Sequence, residues 1–149
     1  MSIVGSRKVL RMAVCAAIAL LTGCISAHQS FVVETSDREW AEPIEVIIPN
    51  EDTTSLRDVR IVLRHDNSFK RESLEVEIVA MRPDSVAYGE SFVMRFADDR
   101  RSKSALHDVV CAYRGDVLFD MVGDYRISIA PKQSQTGILA VGVDIVKSE

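Results

Sequence analysis

The chain is poor in the features that most readily announce a function. It has only three cysteines in 149 residues, Cys15, Cys24 and Cys111, and a single tryptophan, Trp40. It has no G-x-S-x-G, no phosphate-binding loop and no H-E-x-x-H, so the common hydrolase, nucleotide and zinc-protease signatures are excluded. No acidic residue occurs before Glu34. The longest apolar run near the start, Met12 to Leu21, is about half of the roughly 20 residues a membrane-spanning helix needs.

What is there at the N-terminus forms a pattern of its own. Arg7, Lys8 and Arg11 precede the short apolar run, and the run ends in Leu21-Thr22-Gly23-Cys24. A basic segment, a short apolar segment and small residues before a cleavage point describe an export signal. The last four residues resemble the bacterial lipobox. That resemblance implies cleavage between Gly23 and Cys24, with acyl chains on Cys24 as the site of membrane attachment. One acyl chain holds a protein only reversibly, whereas several hold it firmly. The expected organisation is a signal peptide at 1–23, a lipidated Cys24 with a short tether to residue 30, and one domain at 31–149.

Residues 1–23 carry three of the 18 Lys+Arg and none of the 22 Asp+Glu, leaving 15 basic against 22 acidic residues, a net charge of −7. An acidic remainder argues against nucleic acid as a partner. Once Cys15 is removed and Cys24 acylated, only Cys111 is left. No internal disulfide can form, and the domain must stand on its hydrophobic core.

The rest of the chain alternates with period two between turn signals, as antiparallel strands with one wet face do. Val59, Ile61 and Leu63 point one way in the clearest run. Leu74, Val76 and Ile78 do so in the next, and HDNSFKRES between them supplies turn residues. Pairing these two runs would set Arg60 and Arg64 near Glu75 and Glu77. Further strands are expected at Phe31–Thr35, Ile44–Ile48, Ser91–Phe96, Val117–Met121, Tyr125–Ile129 and Leu139–Ile145. Leu106–Arg114 fits a helix through Leu106, Val109, Val110 and Tyr113, or a strand through Val109, Cys111 and Tyr113; its neighbours favour the strand. Short strands at this spacing predict an all-β fold, an antiparallel two-sheet β-sandwich or jelly roll.

No grouping stands out as catalytic. His107 and Cys111 would share a strand face but are too few for zinc, which takes about four ligands in a structural site. His65-Asp66 reads as a turn, with Asp66 bonding its own backbone. Asp98-Asp99-Arg100-Arg101 reads as a solvated loop without the oxygen ligands calcium requires. No cofactor or metal is expected. Trp40 is a candidate stacking platform for a ligand, although a tryptophan at a sandwich edge more often plugs the core. Tyr88 and Tyr113 are the other stacking candidates, and with Trp40 they define an alternative reading as a carbohydrate- or peptide-binding module at the cell surface.

The lipobox, Phe31, Trp40, the strand VRIVLRHDNSF (59–69) running into SLEVEIV (73–79), and the ending GDYRISIAP (123–131) then GILAVGVDI (137–145) resemble the gliding-motility lipoproteins known as GldH. These motifs span most of the mature chain and are mainly core and turn residues. The resemblance implies a Bacteroidetes-type cell-envelope lipoprotein without enzymatic activity or cofactor. In gliding species it would be an accessory or assembly subunit associated with surface motility and its linked secretion system, with envelope proteins as partners. Ile25 and Ser26 follow Cys24 in place of an inner-membrane retention Asp, and ISAHQS (25–30) carries no acid. The expected location is therefore the outer membrane, with the domain facing the periplasm.

Overall fold

The computed structural model describes residues 28–96 and 103–149; the leader, Cys24 and the Asp98–Arg101 run lie outside the described residues. The elements in order are β1 (His28–Glu34), β2 (Glu39–Trp40), β3 (Ile44–Asn50), β4 (Leu56–Asp66), β5 (Ser73–Met81), β6 (Ala87–Arg95), β7 (Leu106–Leu118), β8 (Gly123–Pro131), β9 (Gln135–Thr136) and β10 (Ile138–Lys147). The fold is all-β, and among the described residues no helix is long and apolar enough to cross a membrane.

Two four-stranded antiparallel sheets face each other, one ordered β1-β10-β4-β7 and the other β3-β8-β5-β6, with β2 and β9 forming a small pair apart. Setting that short pair aside and counting the remaining strands from one to eight, the sheets read 1-8-3-6 and 2-7-4-5. This is the jelly-roll arrangement of two interleaved Greek keys. Alternation decides which face each strand buries. Val59, Ile61 and Leu63 of one sheet meet Val76, Ile78, Ile127 and Ile129 of the other in one apolar core, while Arg126 stays outside.

The expected pairing of β4 with β5 is not found. They lie in different sheets: β4 pairs with β10 and β7, and β5 with β6 and β8. The connection between them is a crossover, and its Phe69 is buried in the core where a hairpin loop would leave it wet. The charges sort accordingly. Arg64 makes a two-pronged bond to Asp108 of β7 at 2.7 and 2.9 Å, and Lys132 sits beside Glu77 at 3.0 Å and Glu75 at 3.8 Å. Leu106–Arg114 is strand throughout, as part of β7. Val117–Met121 is strand only to Leu118, with Phe119 buried in the loop beyond it. A bulge between Ile138 and Ala140 shifts the face of β10, so Ile138 takes the core position expected of Leu139.

β1 begins at His28, three residues before the expected strand start, and among the described residues it pairs only with β10. A glycine makes that pairing possible. A Cβ on Gly142 would stand 2.1 Å from the Phe31 carbonyl oxygen and 2.7 Å from the Val32 Cα, so the two backbones approach too closely for any side chain.

Candidate binding cleft

The sheets end on the same side in two edge strands, β6 and β7. Along much of their length these edges are laced together. Phe92 packs edge-on against Tyr113 at 5.1 Å, and the Cys111 thiol points at the Arg95 carbonyl 3.7 Å away. Toward one end they part. The register of β7 against β4 slips around Val59, and Asp116 takes a left-handed conformation with φ of 53°. Asp58 on β4 holds this bulge, its Oδ1 accepting the Asp116 N–H at 3.1 Å and the Ser148 hydroxyl at 2.7 Å. Bulges bend a strand and re-aim its side chains. Beside this bulge a cleft of about 560 Å3 lies between the sheets.

Register explains what lines it. Ile78 and Ala80 face the core from β5, and their partners on β6 are Glu90 and Tyr88, so both of these point inward at the edge. Tyr113, Arg114 and Val117 form the β7 wall, and Val59, Ala80 and Phe119 give an apolar floor. The ring of Phe119 is fixed edge-on against Tyr125 at 4.8 Å and lies under the Arg57 guanidinium at 4.7 Å. Tyr88 is the most exposed large apolar side chain described, 70% accessible.

The charged groups of the cleft come as pairs. Glu90 Oε1 accepts both the Tyr113 hydroxyl and Arg114 Nη2, each at 2.5 Å. Those two donors hold the Glu90 carboxyl below the usual range. Burial, followed by the bond to Glu90, pushes Tyr113 up to about 12. Asp120 Oδ1 accepts the Tyr125 hydroxyl at 3.2 Å and lies 3.6 Å from Arg82 Nη2, which also touches the Met121 sulfur at 3.1 Å. Burial likewise raises Tyr125. Each carboxylate is thus matched by a guanidinium, and the cleft carries no net charge from these four groups.

The expected site residues scatter. Tyr88 and Tyr113 meet in the cleft. Trp40 does not: it is 1% exposed in the core, its Nε1–H donating to the Glu42 carbonyl at 3.0 Å, and it offers a ligand no ring face. His107 stacks on His65 at 5.0 Å and bonds Asn67, while Cys111 is half-buried with its thiol pushed up by burial. Among the described residues no three His, Cys, Asp or Glu side chains cluster to hold a metal. Asp66 caps its turn as expected, its Oδ1 accepting the Ser68 N–H at 2.8 Å. Arg82, Glu90 and Asp120 come from separate segments and carry no sequence motif. An inward-facing acid within an alternating strand is the one signal that marks Glu90.

The cleft opens at the end of the sandwich where β1 starts. His28 of β1 is level with Val146 of β10, Lys147 with Arg57, and Leu56 with Leu118 at the cleft rim. No protein-family model matches the chain, and no curated protein matches it either.

Proposed function

We propose that the chain is a non-catalytic lipoprotein of a bacterial cell envelope. It is held in the outer membrane by acyl chains on Cys24, faces the periplasm, and works as an accessory or assembly subunit of an envelope complex, as the resemblance to GldH implies. The observation that carries this reading is the spacing of the lipobox from the fold. Cys24 is followed by three residues and then by β1. Three extended residues span about 10 Å. An anchored Cys24 would therefore keep the β1 end of the sandwich at the membrane face, within reach of membrane-bound partners. Affinity capture of the lipidated protein from crosslinked membranes tests it. Co-purification of envelope-complex subunits is expected, and recovery of the protein alone, with secretion and surface spreading intact in a deletion strain, would refute it.

A second reading, a carbohydrate- or peptide-binding module, is supported by the cleft. Tyr88 and Tyr113 stand there with polar groups already oriented by their partners, the composition of small-molecule sites in general.

A further inference from the structure

The cleft narrows the class of ligand it can take. Its charges cancel, Arg82 against Asp120 and Arg114 against Glu90. An anion would meet a carboxylate beside each guanidinium, and a cation a guanidinium beside each carboxylate. An acyl chain would set Glu90 Oε2 and Asp120 Oδ2, the carboxylate oxygens that the bonds within the cleft leave over, against hydrocarbon, which is costly without compensating hydrogen bonds. What the lining matches is a neutral molecule with apolar faces and many hydroxyls. Tyr88 presents an open ring at the mouth on the inward side of β6, a surface for the C–H face of a sugar ring. Among the described residues, the bonds to Glu90 fall on Oε1 and those to Asp120 on Oδ1, so Oε2 and Oδ2 keep their acceptor capacity for hydroxyl donors. Both carboxylates are held by tyrosine hydroxyls, and such pre-ordering lowers the cost of binding. The volume, about 560 Å3, lies within the range of ligand pockets and suits a short oligosaccharide.

We propose that the cleft between β6 and β7 binds a neutral saccharide, with Tyr88 as its stacking platform and the Glu90–Arg114 and Asp120–Arg82 pairs as its hydroxyl-binding groups. This rests on the second reading above, that the domain is a binding module, and does not depend on the anchor.

The test uses the full chain in detergent micelles, titrated calorimetrically with neutral tetrasaccharides of cellulose, starch, mannan and chitin. A heparin tetrasaccharide and a pool of extended decapeptides serve as competitors. Saturable binding of at least one neutral tetrasaccharide is expected, weakened about tenfold by Tyr88→Ala, as loss of one aromatic contact implies. Because Tyr88 is exposed, that variant should keep its thermal transition. Asp120→Asn, which keeps the shape of the side chain, should weaken binding as well. Failure of all four sugars, binding indifferent to Tyr88→Ala, or preference for heparin would overturn the proposal. Decapeptide binding lost in Tyr88→Ala would overturn the saccharide while leaving the binding-module reading standing; silence from every probe would defeat both.

Discussion

Replacing Gly142 with alanine should detach β1 from the sandwich. The new methyl would fall 2.1 Å from the Phe31 carbonyl oxygen, whereas a carbon sits no closer than about 3.3 Å to such an oxygen. One of the two backbones must therefore retreat by about 1 Å. Ladder bonds sit near 2.9–3.0 Å, within a range of about 2.7–3.2 Å, so a retreat of that size breaks them. β10 is also paired to β4 and cannot move freely, which leaves β1, an edge strand with one neighbour, to give way. What β1 contributes is the half-burial of Phe31 and Val33 and its ladder to β10. Full burial of such a side chain stabilises by about 1.5–3 kcal/mol, so the pair at half-burial contributes roughly 1.5–3 kcal/mol together. Several ladder bonds at about 1 kcal/mol net each raise the total, to a loss of about 3–5 kcal/mol. Urea unfolding measures it, and hydrogen exchange shows whether residues 28–34 lose protection first. Removing β1 in the Gly142→Ala background should then add little, because both changes act on the same interaction. A Gly142→Ala protein within about 0.5 kcal/mol of its parent, with β1 still protected, would refute the reasoning.

Further outcomes follow from other parts of the fold. Ile127→Ala should cost about 2–5 kcal/mol because its side chain is buried between the sheets. Arg126→Ala should cost little, since its bond to Glu45 at 3.0 Å lies on the exposed face; equal losses in urea titrations would mean the faces are reversed. Tyr113 is held neutral by burial and Glu90, so the stability it contributes is present below pH 10 and fades as pH rises toward about 12. Its ultraviolet ionisation should accordingly lie above that of a free tyrosine, about 10, and ionisation at the free value would count against the closed cleft wall. The carboxyls of Glu77 and Glu90 are lowered from 4.5, chiefly by hydrogen bonds to Lys132 and Tyr113 respectively. Their contribution is full above pH 4.5 and is lost as pH falls below it; a thermal midpoint flat through that window would be the contrary result. Cys24→Ala should abolish incorporation of labelled fatty acid and release the protein from membranes, and label entering that variant would end the lipoprotein reading.

The faces of the strands were legible because period-two alternation is a direct record of burial. Val59, Ile61 and Leu63, Leu74, Val76 and Ile78, and Tyr125, Ile127 and Ile129 are all buried as the pattern requires. Partners were not legible, because alternation says which way a side chain points and nothing about which strand lies beside it. The β4–β5 error arose there. Two adjacent amphipathic runs joined by turn residues look like a hairpin, and their opposite charges satisfy one pairing as well as another. The contrary signal was Phe69, a large apolar residue inside a polar connection, which makes sense only if the chain dives between the sheets. Leu106–Arg114 was ambiguous for a related reason. Val110 lies on the outer face of β7 and is 55% exposed, so it added an apolar residue out of phase with the inward Val109, Cys111 and Tyr113.

The cleft was legible only in its aromatics. Tyr88 and Tyr113 can be picked out as residue types, but a tyrosine becomes a platform only when its backbone position leaves a ring face in solvent. The same consideration removes Trp40, the single tryptophan, which the small β2–β9 pair and the end of the core enclose, as expected of a tryptophan that plugs a sandwich edge. The polar half of the cleft depends on three separate coincidences of topology. Glu90 faces inward because β6 pairs with β5 in a register that aligns it with Ile78. Asp120 reaches the cleft because β7 ends at Leu118 and the chain turns between sheets there. Arg82 reaches it from the β5–β6 turn, where Asp84 Oδ1 accepts the Val86 N–H at 3.1 Å and shapes the loop. Inward charge on an edge strand also discourages another strand from pairing there, so Glu90 guards the open edge of the jelly roll as well as furnishing its cleft. Both roles need the same geometry, a carboxylate held at the mouth by Tyr113 and Arg114. Glu90→Gln keeps the shape of that side chain while removing its charge, and Glu90→Val removes the polar group altogether. A binding role predicts that both weaken a cleft ligand, whereas an edge-guarding role alone predicts that both promote self-association, the valine more strongly, and leave ligand binding unchanged.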